Sequence, residues 1–124
     1  MKTTARISTA EWEVMNLVWE RAPLSAAAIV AEMVQRKAWA SRTTRTLIDR
    51  LVRKKALTYD SGGPCYLYRP LVSIEECVRQ ESRSFLDRVF GGEPAAMLLH
   101  LVKEAKLSSD EIAELRRILK QKEK

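Results

Sequence analysis

The stretch Ser41-Arg42-Thr43-Thr44-Arg45-Thr46-Leu47-Ile48-Asp49-Arg50-Leu51-Val52-Arg53-Lys54-Lys55 contains two kinds of position. Leu47, Ile48 and Leu51 recur at helical spacing, while Arg42, Arg45, Thr46, Asp49, Arg50 and Arg53 fall on the other side. The pattern predicts an amphipathic helix from Arg42 to about Lys55, with Ser41 as its N-cap. From Arg36 to Lys55 there are eight basic residues and one acid, Asp49. Cations three or four residues apart project from one surface. A charged run of this kind is ordinarily a solvated face, so its neighbours must decide whether it does more.

Upstream, Ser8-Thr9-Ala10-Glu11 fits a capping box and opens a first helix. Its inward stripe is Trp12, Met15, Val18 and Trp19, widened by Val14 and Leu17, and Arg21-Ala22-Pro23 stops it. Ser25 caps a second helix, Ala26 to about Lys37, with Ala28, Ile29, Met33 and Val34 facing inward. Ala38-Trp39-Ala40 joins it to the third helix. Downstream, Leu57-Thr58-Tyr59-Asp60 and Cys65-Tyr66-Leu67-Tyr68-Arg69 flank Ser61-Gly62-Gly63-Pro64, which reads as a β-hairpin ended by Pro70. Three short helices followed by a hairpin give the order of a winged helix-turn-helix.

The remainder reads as helix. Ser73-Ile74-Glu75-Glu76 is a second capping box, followed by a stripe of Ile74, Cys77, Val78, Phe85 and Val89 and a Gly91-Gly92 stop. Pro94 suits the first turn of a fifth helix carrying Met97, Leu98, Leu101 and Val102. Ser108-Ser109-Asp110-Glu111 caps a sixth, with Ile112, Leu115, Ile118 and Leu119, and the basic tail 120–124 is expected to fray. The expected fold is mainly α with a small β-hairpin wing. Residues 1–71 form the winged helix-turn-helix and 72–124 a helical dimerisation region.

Composition limits the function. Of 22 basic and 16 acidic residues, twelve and six lie in positions 1–70, so the whole net charge of +6 sits in that half. Charge segregated in this way marks the half that meets a polyanion. No run approaches the roughly 20 apolar residues of a membrane span, and Met1-Lys2-Thr3-Thr4 lacks the apolar stretch of a signal peptide, which points to the cytoplasm and no membrane partner. Cys65, Cys77 and His100 are too sparse for a disulfide framework or a metal site, and the cysteines read as small buried hydrophobes. No Gly-rich phosphate loop, paired carboxylates or histidine-activated nucleophile is present, so neither catalysis nor a cofactor is expected.

A helix with that cationic face suits the major groove of double-stranded DNA. Arginine binds guanine O6 and N7 together, threonine offers a hydroxyl or methyl, and lysine neutralises phosphate. The expected DNA-binding residues are Arg42, Thr43, Arg45, Thr46, Arg50, Arg53 and Lys54, with Ser61 and Gly62 at the wing tip. Trp12, Trp19, Trp39 and the tyrosines Tyr59, Tyr66 and Tyr68 read as packing residues. The two C-terminal helices carry more apolar face than a winged domain can cover. The expected dimer interface is Leu98, Leu101, Val102, Ile112, Leu115, Ile118 and Leu119, each large side chain contributing roughly 1.5–3 kcal/mol if fully buried. A two-fold homodimer would bind a pseudo-palindromic operator. The alternatives are a small-molecule-gated winged-helix regulator, a protein-interaction module docking an acidic partner, and a sequence-independent DNA-coating protein.

From Ile7 to Leu119 the chain resembles the penicillinase-repressor family, also named for BlaI, MecI and CopY. The resemblance is carried by Ser8 with Ala10-Glu11-Trp12-Glu13-Val14-Met15, by Trp39, Arg42-Thr43, Arg45-Thr46-Leu47-Ile48 and Arg50-Leu51, by Tyr66 and Tyr68, and by Leu107-Ser108, Asp110-Glu111-Ile112 and Glu114-Leu115-Arg116. It implies a dimeric transcriptional repressor that covers a promoter operator with its third helix and is inactivated by an inducing signal. Arg42, Thr43, Arg45 and Thr46 would face bases and phosphate, and the last two helices would form the dimer. In the β-lactam-responsive members a membrane sensor protease cuts an Asn-Phe bond in the fifth helix. His100-Leu101 stands at the matching positions, a candidate cleavage bond that departs from that pattern. The copper-responsive members end in a cysteine-rich motif, which this tail lacks.

Overall fold

The computed structural model describes residues 6–124; the expectation placed on Met1-Lys2-Thr3-Thr4 lies outside them. The elements run α1 (Thr9–Arg21), β1 (Leu24–Ser25), α2 (Ala26–Lys37), α3 (Ser41–Arg53), β2 (Leu57–Asp60), β3 (Leu67–Pro70), α4 (Ile74–Phe90), α5 (Pro94–Glu104) and α6 (Ser109–Lys122). Contacts divide the chain into two compact units, one ending at Ser82 and the other running Arg83–Lys124.

In the first unit, the Ser8 hydroxyl accepts from the Glu11 N–H and the Glu11 carboxylate accepts from the Ser8 N–H, closing the expected capping box. Val14, Met15, Leu17 and Val18 are fully buried, with Ile29 and Met33 of α2 and Leu47, Ile48 and Leu51 of α3 against them. Trp12 and Trp19 meet edge to face, centroids 5.8 Å apart, and with Trp39 they flank this core half-buried. Val34 is 49% exposed, contrary to its expected inward position, because it lies on the shoulder of the α2 stripe that Ile29 and Met33 define.

The sheet has the order β1-β3-β2, antiparallel throughout. β2 and β3 are the expected hairpin, with Tyr59 opposite Tyr68 and Leu57 opposite Pro70. Cys65 and Tyr66 fall in the tip rather than the strand, and Cys65 is exposed rather than a buried hydrophobe. β1, which sequence reading missed, pairs Leu24 with Tyr68 and Ser25 with Leu67. Ser25 also caps α2, accepting from the Ala28 N–H at 3.1 Å.

The first compact unit continues into α4. Val72 and Cys77 are buried in the winged core, and the α4 start is capped by the reciprocal Ser73–Glu76 pair. Further along the expected stripe, Ile74, Val78, Phe85 and Val89 are exposed. In the second unit α5 begins at Pro94, and α6 is opened by the reciprocal Ser108–Glu111 box. Gly91 and Gly92, at φ 58° and 82°, take the left-handed turn after α4 that a side chain would strain. The tail expected to fray is helical through Lys122. Neither α5 nor α6 buries a single residue.

Candidate nucleic-acid interface

α3 is held by its apolar underside. Thr44, Leu47, Ile48 and Leu51 face the core, and Arg42, Thr43, Arg45, Thr46, Asp49, Arg50 and Arg53 are exposed. Six of the seven residues expected from α3 and its C-cap therefore share one outward surface. Helical spacing makes this arrangement unavoidable once the leucine side is buried.

Within the helix-turn-helix and the wing, the pairing of the charges distinguishes this surface. Arg6, Arg21, Arg36, Lys37, Lys54 and Arg69 each lie between 2.5 and 3.6 Å from a carboxylate. Arg42, Arg50, Arg53 and Lys55 have no acidic partner among the described residues. Among the described residues Arg45 reaches only the hydroxyl of Ser41, its Nε donating to Oγ at 3.4 Å. The cations of α1, α2 and β3 are matched, whereas Arg42, Arg50 and Arg53 of α3 are exposed with no acidic partner among the described residues.

Lys54 is only partly exposed. Its Nζ donates to Glu11 Oε1 at 2.5 Å and to the Arg6 carbonyl oxygen at 2.7 Å, which makes it an internal counterion. Glu11 is only 1% exposed. Burial pushes its carboxyl up, but Lys54 and the Ser8 N–H outweigh that and hold it below the ordinary glutamate value. Nothing local to α3 could have revealed this partner.

The start of α3 also differs. Ala40, with φ −63° and ψ 148°, is the N-cap, and Ser41 is already helical. The helix begins one residue early because the Thr44 N–H bonds the Ala40 carbonyl at 3.3 Å. Alanine has no side chain to cap with, so no side-chain hydrogen bond closes the N-terminus of α3. Free N–H groups at such an end suit an anionic oxygen.

The wing lies next in sequence. Ser61 and Gly62 sit exposed in its tip as expected, with open space around Gly62 and Gly63. Tyr59 and Tyr66 stack with centroids 4.4 Å apart, and Tyr68, 9% exposed, tilts against Tyr59 at 5.6 Å. Burial, then the nearby Asp49 charge, raise the Tyr68 hydroxyl pKa. Ser25, Arg45, Cys65, Tyr66 and Tyr68 line a shallow groove between wing and helices.

Two helices joined across Ala38-Trp39-Ala40, the second with an unmatched cationic face and followed by a sheet with a free hairpin, define a winged helix-turn-helix DNA-binding domain. The penicillinase repressor family model matches residues 7–121, and the chain belongs to that family. It is 38% identical over 119 residues to the methicillin resistance regulatory protein MecI of Staphylococcus aureus (strain N315), covering 96% of this chain and 97% of that one. The penicillinase repressor of Bacillus licheniformis is 31% identical over 121 residues, covering 98% and 94%. The monomeric form of Bacillus licheniformis BlaI, solved in solution with the blaP half-operator, superposes with a TM-score of 0.54 at 29% identity, covering 61% of this chain and 93% of that one. The chain is thus a transcriptional repressor and not an enzyme. No helix among the described residues is long and apolar enough to cross a membrane.

Proposed function

We propose that the protein is a homodimeric repressor that lays α3 in the major groove of a pseudo-palindromic promoter operator and is released by an inducing signal acting on its helical arm. The observation that carries this reading is the unmatched cationic face of α3 beside fully matched charges elsewhere on α1, α2 and β3. Arg42, Arg45, Arg50 and Arg53 bind guanine edges and phosphates, and Thr43 and Thr46 reach bases from the first turns. The wing tip at Ser61 and Gly62 follows the flanking backbone. That BlaI was solved bound to a half-operator supports the same use of this domain here.

A second copy of the chain is the partner that the arm calls for. Leu98, Leu101, Val102, Ile112, Ile118 and Leu119 are 38–57% exposed, and Leu115 is half-buried. Helices of this length that bury nothing are marginal in water and gain stability only from packing. Pairing two arms covers these faces and sets two α3 helices on one duplex. A signal that separates the arms leaves each half with too few contacts to hold. Proteolysis at His100-Leu101, inside α5, is one such signal, and an arm without a core opens locally at low cost.

Selection of bound duplexes from a random pool at about 150 mM salt, where exposed charges are screened within roughly 8 Å, tests the reading. Recovery of a two-fold-symmetric site is expected. Enrichment of no sequence would overturn it.

A further inference from the structure

We infer that Lys54 and Glu11 form a positioning pair that fixes the orientation from which α3 reads DNA, and that Lys54 is not itself a phosphate contact. The inference rests on the reading of α3 as the DNA-inserting helix and adds what aims it. The apolar contacts of Leu47, Ile48 and Leu51 are non-directional, so by themselves they allow small rolls and slides of the helix on the core. Lys54 is different. It is the C-cap residue of α3, and its ammonium is shared between the Glu11 carboxylate and the Arg6 carbonyl oxygen. Charge-assisted hydrogen bonds of this kind are short and directional.

Glu11 is itself immobilised. Its Oε1 accepts from the Ser8 N–H at 2.8 Å, and the Ser8 hydroxyl accepts from the Glu11 N–H at 3.2 Å. The N-cap of α1 thereby holds the carboxylate, the carboxylate holds Lys54, and Lys54 holds the end of the reading helix. The next residue, Lys55, takes a left-handed φ of 64°, and the Ala56 N–H returns to the Leu51 carbonyl at 2.9 Å, closing the turn immediately after the pair. The fixed point lies at one end of the helix, where a small tilt moves the opposite end most. Arg42 and Arg45 stand near that opposite end.

The two adjacent lysines separate the possibilities. Full-length protein is titrated with the duplex recovered by selection and with a scrambled duplex of equal length, across a salt series. Lys55→Met is expected to reduce the slope of log K against log salt by about one, the mark of a lost phosphate contact. Lys54→Met is expected to leave that slope unchanged and to lower the ratio of selected to scrambled affinity on the order of tenfold, within the range of couplings between touching residues. Glu11→Gln should lower the ratio similarly while keeping an acceptor for the Ser8 N–H, and the double variant should fall no further than the worse single. If Lys54→Met fails to fold, Glu11→Gln decides by the same ratio. A slope reduced by about one in Lys54→Met, or both duplexes weakened equally, overturns the inference. Arg45→Ala is the reference for the underlying reading: if it binds as the unchanged protein does, the α3 reading falls and this inference with it.

Discussion

The Trp19 indole N–H donates to the carbonyl oxygen of Val72 over 2.9 Å, although the two residues are 53 positions apart. The bond ties the last turns of α1 to the segment between β3 and α4, which is why the start of α4 belongs to the winged unit. Trp19→Phe keeps an aromatic ring and removes the donor, leaving a partly buried carbonyl without it. A loss of about 1–2 kcal/mol is expected, read as a lower urea midpoint at unchanged m-value.

Arg45 stands on the exposed face of α3 with only a long hydrogen bond to Ser41. Arg45→Ala should cost roughly 1–3 kcal/mol of affinity for the selected duplex and relax preference at one base position. Binding to a panel of singly substituted duplexes checks this. A uniform loss across the panel would assign Arg45 to phosphate instead.

Thr44 is fully buried in α3, and its Oγ1 has no hydrogen-bond partner among the described residues. Thr44→Val replaces that hydroxyl with a methyl of nearly the same shape. Stability should rise by about 1–2 kcal/mol, because an unsatisfied buried oxygen is removed without opening a cavity. Thermal melts of the two proteins at equal concentration measure it.

The lowered pKa of Glu11 has a signed consequence. A carboxyl whose folded value lies below its unfolded value stabilises the fold above the unfolded value, near about 4.3, and loses that contribution as pH falls through the folded value. Urea midpoints at about pH 6 and about pH 3.5 should therefore drop more in the unchanged protein than in Glu11→Gln. Equal drops would mean that this carboxyl titrates alike in both states.

Leu101 and Leu119 are 47% and 57% exposed on the arm. Leu101→Asp or Leu119→Asp, placing a charge on a face that a second copy would cover, should shift the protein to monomer in sedimentation and weaken binding to a two-fold site. Affinity for a single half-site should change little.

What the sequence made legible was local. The reciprocal pairs Ser8–Glu11, Ser73–Glu76 and Ser108–Glu111 are each written within four residues, and all three form. The leucine side of α3 likewise dictated which arginines face outward. The Lys54–Glu11 contact was not legible because the partners lie 43 residues apart, and the spacing of Lys54 matches that of a surface cation. β1, with two residues, is too short to carry any periodicity, and only its pairing with β3 defines it. Ser41 resembled a cap by residue type, yet the backbone enters the helix at Ala40. Val34 and Ile74 show the same limit, since apolar spacing marks a stripe and not its edge.

α5 and α6 bury nothing within a single copy, so in the proposed homodimer their apolar faces are covered only when two chains meet. At low abundance the population of paired molecules grows as the square of the number of chains. Promoter silencing would then switch over a narrow range of expression, and a modest fall in synthesis would reopen transcription more sharply than a one-chain binder allows.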